Sequence, residues 1–272
     1  MDRFRKFCER DLEPYYLSST SDGVIKKWTT TDGLYFLKAS TDRYQLEAIM
    51  ECIVSDLLDF FKITHLKYFL GEVINGKNTI VSVSENYKLA PQIESIISAH
   101  SYLLSQDIDP NKRQGRYEAI ISGFPECVEH VNTMIVVDYL IANHDRHLRN
   151  FEFWKKEGKI EMVPLYDHGS SLLVNWSEEE LHDLLEADDL WEETILYAET
   201  PSKCFSLQHS TELALVKSLP QNIFLELTSE QVDKVIDKYQ KFLTSRRAEV
   251  IKKLIITRLS NIKRRLGYVG GR

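Results

Sequence analysis

Two carboxylates and one carboxamide in this chain are spaced for work on a phosphate. Asp145-Arg146-His147-Leu148-Arg149-Asn150 sets an Asp five residues before an Asn, and Asp167-His168-Gly169 then places a second Asp ahead of a Gly. Carboxylate and amide oxygens are hard donors, the kind Mg2+ takes while it bridges phosphates. An Asp that orients a hydroxyl, with an Asn and a second Asp on the metal, is the division of labour of phosphoryl transfer. The competing chemistry is a zinc site built from His144, His147 and His168. No cysteine stands near those histidines, and Asn150 has no role in such a site.

The elements around these residues predict how they meet. Val128, Val131, Met134, Ile135 and Tyr139 recur at helical spacing within Cys127–Ala142, so Asp145 falls just beyond a helix end. Residues 151–165 read as two short apolar-rich runs broken by Glu157-Gly158, the signature of a hairpin. A turn centred there sets residue 150 roughly opposite residue 165, which brings Asn150 and Asp167 out at one end.

Upstream, the first ninety residues read mostly as strands with one helix. Val24–Trp28, a Thr31-Asp32-Gly33 turn and Leu34–Lys38 form one hairpin; Phe69–Ile74 and Thr79–Val83, joined through Asn75-Gly76, form another. Leu46, Ile49, Ile53, Leu57, Leu58 and Phe61 make an apolar helical stripe between them. From about Ala90 onward the pattern predicts helices, near 91–105, 126–142, 178–187, 206–217, 228–243 and 245–266. The expected fold is α+β with two lobes: a strand-rich amino-terminal lobe over 1–89 and a larger helical lobe over 90–272, joined near Val83–Leu89. A nucleotide fits the cleft between such lobes.

A phosphotransfer site also needs a cation on the phosphates. Lys38 ends an apolar strand and is the favoured candidate, with Lys27 and Lys26 as competitors. Glu51, and second to it Glu47, share a face of the next helix from which a carboxylate could pin that lysine. Ser18-Ser19-Thr20-Ser21-Asp22-Gly23 is a candidate phosphate loop, because small residues let backbone N–H groups approach anionic oxygens. It matches neither G-x-G-x-x-G nor a Walker motif. Ser21, Gly23 and Lys27 in and after this loop, and Glu85 in the connection between lobes, complete the expected nucleotide-contacting set. Ser18, Ser19, Thr20 and Ser21 are hydroxyls that could themselves accept a phosphate, whose charge would repel ATP or move the loop.

Composition narrows the class. The chain has 272 residues and a net charge of −7, which argues against nonspecific nucleic-acid binding. Cys8, Cys52, Cys127 and Cys204 are scattered, as reduced thiols are. No signal core or membrane-spanning run is visible, so a cytoplasmic location is expected. Residues 178–193 hold nine acids and no Lys or Arg, while 246–265 hold eight bases against Glu249. Solvated helix faces are the common meaning of such runs; the alternative is an acidic patch beside the cleft that selects a basic partner.

Ile141–Phe151 together with Leu165–Ser171 resembles the core of HipA-like serine/threonine kinases, toxin kinases related in fold to the phosphoinositide kinases. Ser21–Lys27, Tyr35–Lys38 and Glu51–Leu58 match in the same order. The chain is shorter than full-length members and is expected to lack their additional amino-terminal subdomain, so the resemblance is to a compact variant. It implies Asp145 as the group that takes or orients the hydroxyl proton, Asn150 and Asp167 on Mg2+, and Lys38 with Glu51 on the ATP phosphates. It also implies a protein substrate in translation, such as an aminoacyl-tRNA synthetase, a small antitoxin partner, and autophosphorylation in the 18–21 loop. Two alternatives stay open: a lipid or small-molecule kinase with the same site, and a catalytically silent binding module. His147 is expected to support its loop by hydrogen bonding, and Arg146 to pair with either a phosphate or a carboxylate.

Overall fold

The computed structural model describes residues 4–15, 27–42, 44–74, 78–187, 191, 201–216 and 227–265. The Ser18–Gly23 loop, Lys26 and the Asn75-Gly76 turn lie outside these, as do Asp188, Asp189, Glu192 and Glu193 of the acidic run. The amino-terminal part is a six-stranded sheet in the order β1-β5-β6-β4-β3-β2. Its strands are β1 (Arg5–Cys8), β2 (Leu12–Pro14), β3 (Lys27–Thr30), β4 (Tyr35–Ala39), β5 (Tyr68–Ile74) and β6 (Thr79–Glu85). β1 runs parallel to β5, and the other pairs are antiparallel. The two edge strands are joined by Glu9–Asp11 alone, a link that reaches at most about 14 Å. A flat sheet would hold edges five strand spacings apart, about 24 Å. The sheet must therefore curl toward a barrel, and Leu12, Trp28, Leu37, Ala39, Val73, Val81 and Val83 pack together inside it.

The helix α1 (Glu47–Phe60) follows β4. Asp42 starts it: its carboxylate accepts the backbone N–H groups of Leu46 and Glu47 at 2.8–2.9 Å, satisfying donors the first turn leaves open. Ala48, Ile49, Met50, Cys52, Ile53, Val54, Leu57 and Leu58 are all buried. All but Ala48 join one core with the carboxyl-terminal helices, not with the interior of the sheet. That core centres on α4 (Val128–Ile141), buried without a break from Val131 to Ile141, as a helix apolar on every side must be. Around it lie α2 (Ala99–Ser105), α3 (Arg116–Gly123), α5 (Glu178–Glu186), α6 (His209–Leu213), α7 (Ser229–Asp237) and α8 (Ser245–Arg265). The fold is α+β, as the pattern of elements predicts.

Three local expectations are corrected. The helix expected over 91–105 is a strand, β7 (Ile93–Ser98), followed by α2. Ile93, Ile96 and Ile97 are β-branched and favour a pleated surface, and β7 adds a third strand to the hairpin β8 (Glu152–Lys156) and β9 (Lys159–Met162). The helix expected over 206–217 is confined to the five residues of α6. That expected over 228–243 stops at Asp237, with a short 3-10 turn at Gln240–Phe242. Strands β1 and β2 and helix α3 have no counterpart in the sequence reading. The 151–165 hairpin has the anticipated register: Lys156 pairs Lys159 and Phe153 pairs Met162. Glu157 and Gly158 both have positive φ (51° and 74°), as a two-residue turn that follows the strand twist requires.

Candidate active site

Asp167 and Lys38 meet although 129 residues separate them: Lys38 Nζ lies 2.6 Å from Asp167 Oδ1. β4 delivers the lysine, and the exit of the β8–β9 hairpin delivers the aspartate. Asp167 has φ 60°, a left-handed conformation that Asp tolerates better than most side chains. Burial alone would push its pKa up; the charges and hydrogen bond of Lys38, with Lys27 and Arg146, overcome that and hold the carboxyl well below its usual range. Burial likewise works against the charged form of Lys38, and Asp167 and Glu51 reverse it, so the ammonium is firmly protonated.

Glu51 does not form an ion pair with Lys38. Buried on α1, it accepts the backbone N–H of His168 through Oε1 at 2.6 Å and so fastens the helix to the Asp167 loop. Burial drives its pKa up to about 7, against the opposing pull of Lys38. Gly169 lets this contact form: a Cβ there would sit 3.1 Å from both Glu47 O and Glu51 Oε2. Glu47 is committed elsewhere, its Oε2 accepting the N–H and hydroxyl of Thr41, each at 2.9 Å. Lys27, half-buried, stands opposite Lys38 across the β3–β4 ladder and is in the field of Asp167. Glu85 is exposed at the end of β6. Just beyond it, Tyr87 stacks on Tyr166 with centroids 5.5 Å apart and hydrogen-bonds Glu152, so the segment after β6 touches the residue before Asp167.

Arg146 assembles the rest. It is 1% exposed and pairs Asp138 of α4, with Nε–Oδ2 at 2.8 Å. Nη1 donates to the carbonyls of Asn150 (2.8 Å) and Tyr166 (2.6 Å), and Nη2 to His168 Nδ1 at 3.1 Å. The partner of Arg146 is thus a carboxylate, and one guanidinium ties the 145–150 loop to the Asp167 loop. Accepting that bond leaves His168 neutral, and burial lowers its pKa far below the ordinary value. α4 ends at Ala142, left-handed at φ 54°. Beyond it His144 N–H donates to Ser170 O (3.1 Å), and Leu172 N–H returns to Ile141 O (2.7 Å). His147 braces its own loop: its carbonyl accepts Asn150 N–H at 2.8 Å and its Nδ1 accepts Arg149 N–H at 3.2 Å.

Asn150 is buried, and its Nδ2 donates to Asp145 O at 3.0 Å, which leaves Oδ1 as the atom able to ligate. An amide oxygen and a carboxylate whose pKa is lowered by its cationic neighbours fit a hard divalent cation such as Mg2+. The zinc alternative fails on placement: among the described residues no three His, Cys, Asp or Glu side chains are grouped to hold a metal, and His168 is spent on Arg146. Asp145 carries a partner that the sequence reading missed. Lys203 Nζ lies 2.5 Å from Asp145 Oδ1, reaching back from a segment 58 residues downstream. Of the acidic run, Glu178 of α5 pairs Arg247 of α8 at 3.1 Å, while Glu179, Glu180, Asp183 and Glu186 are exposed on a solvated helix face.

No protein-family model matches the chain, and no curated protein matches it in sequence. Solved structures do match it in fold. The Helicobacter pylori proinflammatory kinase CtkA superposes with a TM-score of 0.72 over 97% of this chain and 99% of that one, at 14% identity. HipA of Shewanella oneidensis MR-1, from a toxin–antitoxin complex with HipB and operator DNA, superposes with a TM-score of 0.53 at 15% identity; the match covers 94% of this chain and 66% of HipA. The chain has the HipA-like kinase fold.

Proposed function

We propose that this chain is an ATP- and Mg2+-dependent protein serine/threonine kinase of the HipA-like toxin type, able to phosphorylate itself on Ser18, Ser19, Thr20 or Ser21. One observation carries the reading: Lys38 and Asp167 are brought to 2.6 Å on a fold shared with two kinases, with the Asn150 carbonyl tied through Arg146 to that of Tyr166, the residue before Asp167. In this reading Lys38 exchanges Asp167 for the α/β-phosphates when ATP enters, and Glu51 keeps α1 and the Asp167 loop in register. Asn150 and Asp167 would hold Mg2+, which would neutralise charge on the ATP phosphates. Asp145 orients the acceptor hydroxyl. The hydroxyl oxygen bonds to the γ-phosphorus as the bond from that phosphorus to the β-bridging oxygen breaks, and the hydroxyl proton passes to Asp145. Positioning and fixed charges supply the catalysis.

The substrate this reading favours is a protein of translation, with an aminoacyl-tRNA synthetase the foremost example, and the regulator a small antitoxin-like protein. HipA's own complex with HipB supports that partner class. The expected compartment is the cytoplasm; among the described residues no helix is long and apolar enough to cross a membrane.

Incubation with γ-labelled ATP and Mg2+, followed by mass spectrometry of the protein, tests the proposal. Label is expected within residues 18–21. Asp145→Ala and Asp167→Ala are each expected to abolish transfer with the circular dichroism unchanged; undiminished transfer by either variant removes the assignment. Growth arrest on expression, relieved by Asp167→Ala, is the outcome expected of a toxin.

A further inference from the structure

Lys203 belongs to no recognisable motif, and an ion pair with exposed partners ordinarily contributes little. Its side chain is 55% exposed and that of Asp145 36%. What distinguishes this pair is the way the lysine is mounted. Ser202 and Cys204, on either side of it, are 2% and 1% exposed, so the backbone is buried where the Lys203 side chain projects outward. The segment closes on itself through the Pro201–Gln208 bridge and the Ser202 N–H to Leu207 O bond of 3.0 Å. Glu212, itself buried, accepts from Ser202 Oγ (2.7 Å), Phe205 N–H (2.6 Å) and Ser206 N–H (2.8 Å). Buried Arg116 donates to the carbonyls of Cys204 and Pro110. Two desolvated charges are thus committed to holding one short loop still.

That loop is also jointed to the base of the catalytic loop. His209 donates through Nε2 to Asn143 O at 2.7 Å, and Asn143 Oδ1 accepts the N–H of Asp145 at 3.2 Å. Asn143 further donates to Asp138, the partner of Arg146. The mount of Lys203 and the backbone of Asp145 therefore form one framework. The ammonium holds Oδ1, and among the described residues no hydrogen bond is made to Asp145 Oδ2. One oxygen is pinned, and its twin belongs to a side chain 36% exposed.

We propose that Lys203 is a positioning residue for phosphoryl transfer: it fixes the Asp145 carboxylate so that the second oxygen meets the acceptor hydroxyl, and Pro201–Gln208 is its rigid mount. The inference rests on the kinase reading above and assigns a residue that this reading does not contain. A lysine that instead blocked the carboxylate would be an inhibitory latch, and the two roles predict opposite signs.

The test compares wild type, Lys203→Met and Lys203→Arg in self-phosphorylation from γ-labelled ATP and Mg2+. Two quantities are read: the rate constant at saturating ATP and the ATP concentration giving half that rate. Lys203→Met is expected to lower the rate constant about 10- to 100-fold, the range for losing one partly screened, preorganised cation. The half-saturating ATP concentration should stay within about threefold, because the effect falls on the acceptor side, and Lys203→Arg should recover most of the rate. An unchanged or faster Lys203→Met enzyme overturns the positioning role and leaves the kinase reading intact. A loss seen only as weaker ATP binding, or one that Arg does not rescue, overturns it as well. A wild type that transfers no phosphate to any acceptor removes the kinase reading and this inference together.

Discussion

Lys38, Asp167 and Asp145 are each steadied by a group far along the chain, and the neutral residues at the joints matter as much. His209 is the clearest case. Burial, with the charge of Arg258, lowers its pKa from 6.5 to about 3, so it stays neutral while it donates to Asn143. Above pH 6.5 the folded and unfolded chains are both neutral at this position and its stabilising bond is fully present. As pH falls from 6.5 toward 3, the unfolded chain takes up a proton that the folded chain refuses, and stability is lost at up to about 1.4 kcal/mol per pH unit. His209→Gln keeps a donor for Asn143 without the titration. Urea unfolding from pH 7 to pH 4 should therefore show a shallower loss for the variant than for wild type; parallel curves would show that His209 protonates freely in the fold. The motif residues were legible in the sequence because their spacing is local: Asp145, Asn150 and Asp167 lie within one helix–hairpin unit. Lys203 was not, because a lone lysine 58 residues away carries no pattern. Asp138 left a fainter trace as an acidic residue inside the apolar run Cys127–Ala142, which a buried cation had to balance.

Among the elements, α1 is fastened to the Asp167 loop by the bond from His168 N–H to Glu51, and Gly169 sets their separation. A methyl group at 169 meets the Glu47 carbonyl and the Glu51 carboxylate at 3.1 Å, so one side must yield by a few tenths of an ångström. Gly169→Ala is expected to cost roughly 1 kcal/mol of stability by overpacking, and to depress phosphate transfer more than that cost suggests, since Glu51 and Asp167 move together. Thermal melts beside transfer rates check this; an Ala variant with wild-type rates would show that the helix position is not coupled to the site. The β8–β9 hairpin was readable because Glu157-Gly158 is a turn with its own chemistry. β7 was not. Its residues 93–98 carry isoleucines that satisfy a helical stripe or a strand equally well, and only the free edge of β8, invisible in a linear reading, decides the matter.

The molecule as a whole is divided differently from its chain. The site lies between a curled sheet and a helical body, yet α1, which follows the fourth strand, shares its hydrophobic core with α4 and the carboxyl-terminal helices. The sheet interior is a separate cluster of seven residues. Hydrogen exchange should therefore protect the amides of Glu47–Phe60 as strongly as those of Val128–Ile141, while β2, β3 and β4 exchange sooner. Fast exchange of α1 together with the sheet would mean that the cores are not partitioned in this way. The three-residue link between β1 and β2 has a further consequence for handling the protein. Residues 5–14 act as a clasp, one half hooked on each margin of the barrel. A truncation that begins at Leu12 would strip one margin bare, and the exposed backbone of β5 would then be open to a strand borrowed from a neighbouring molecule.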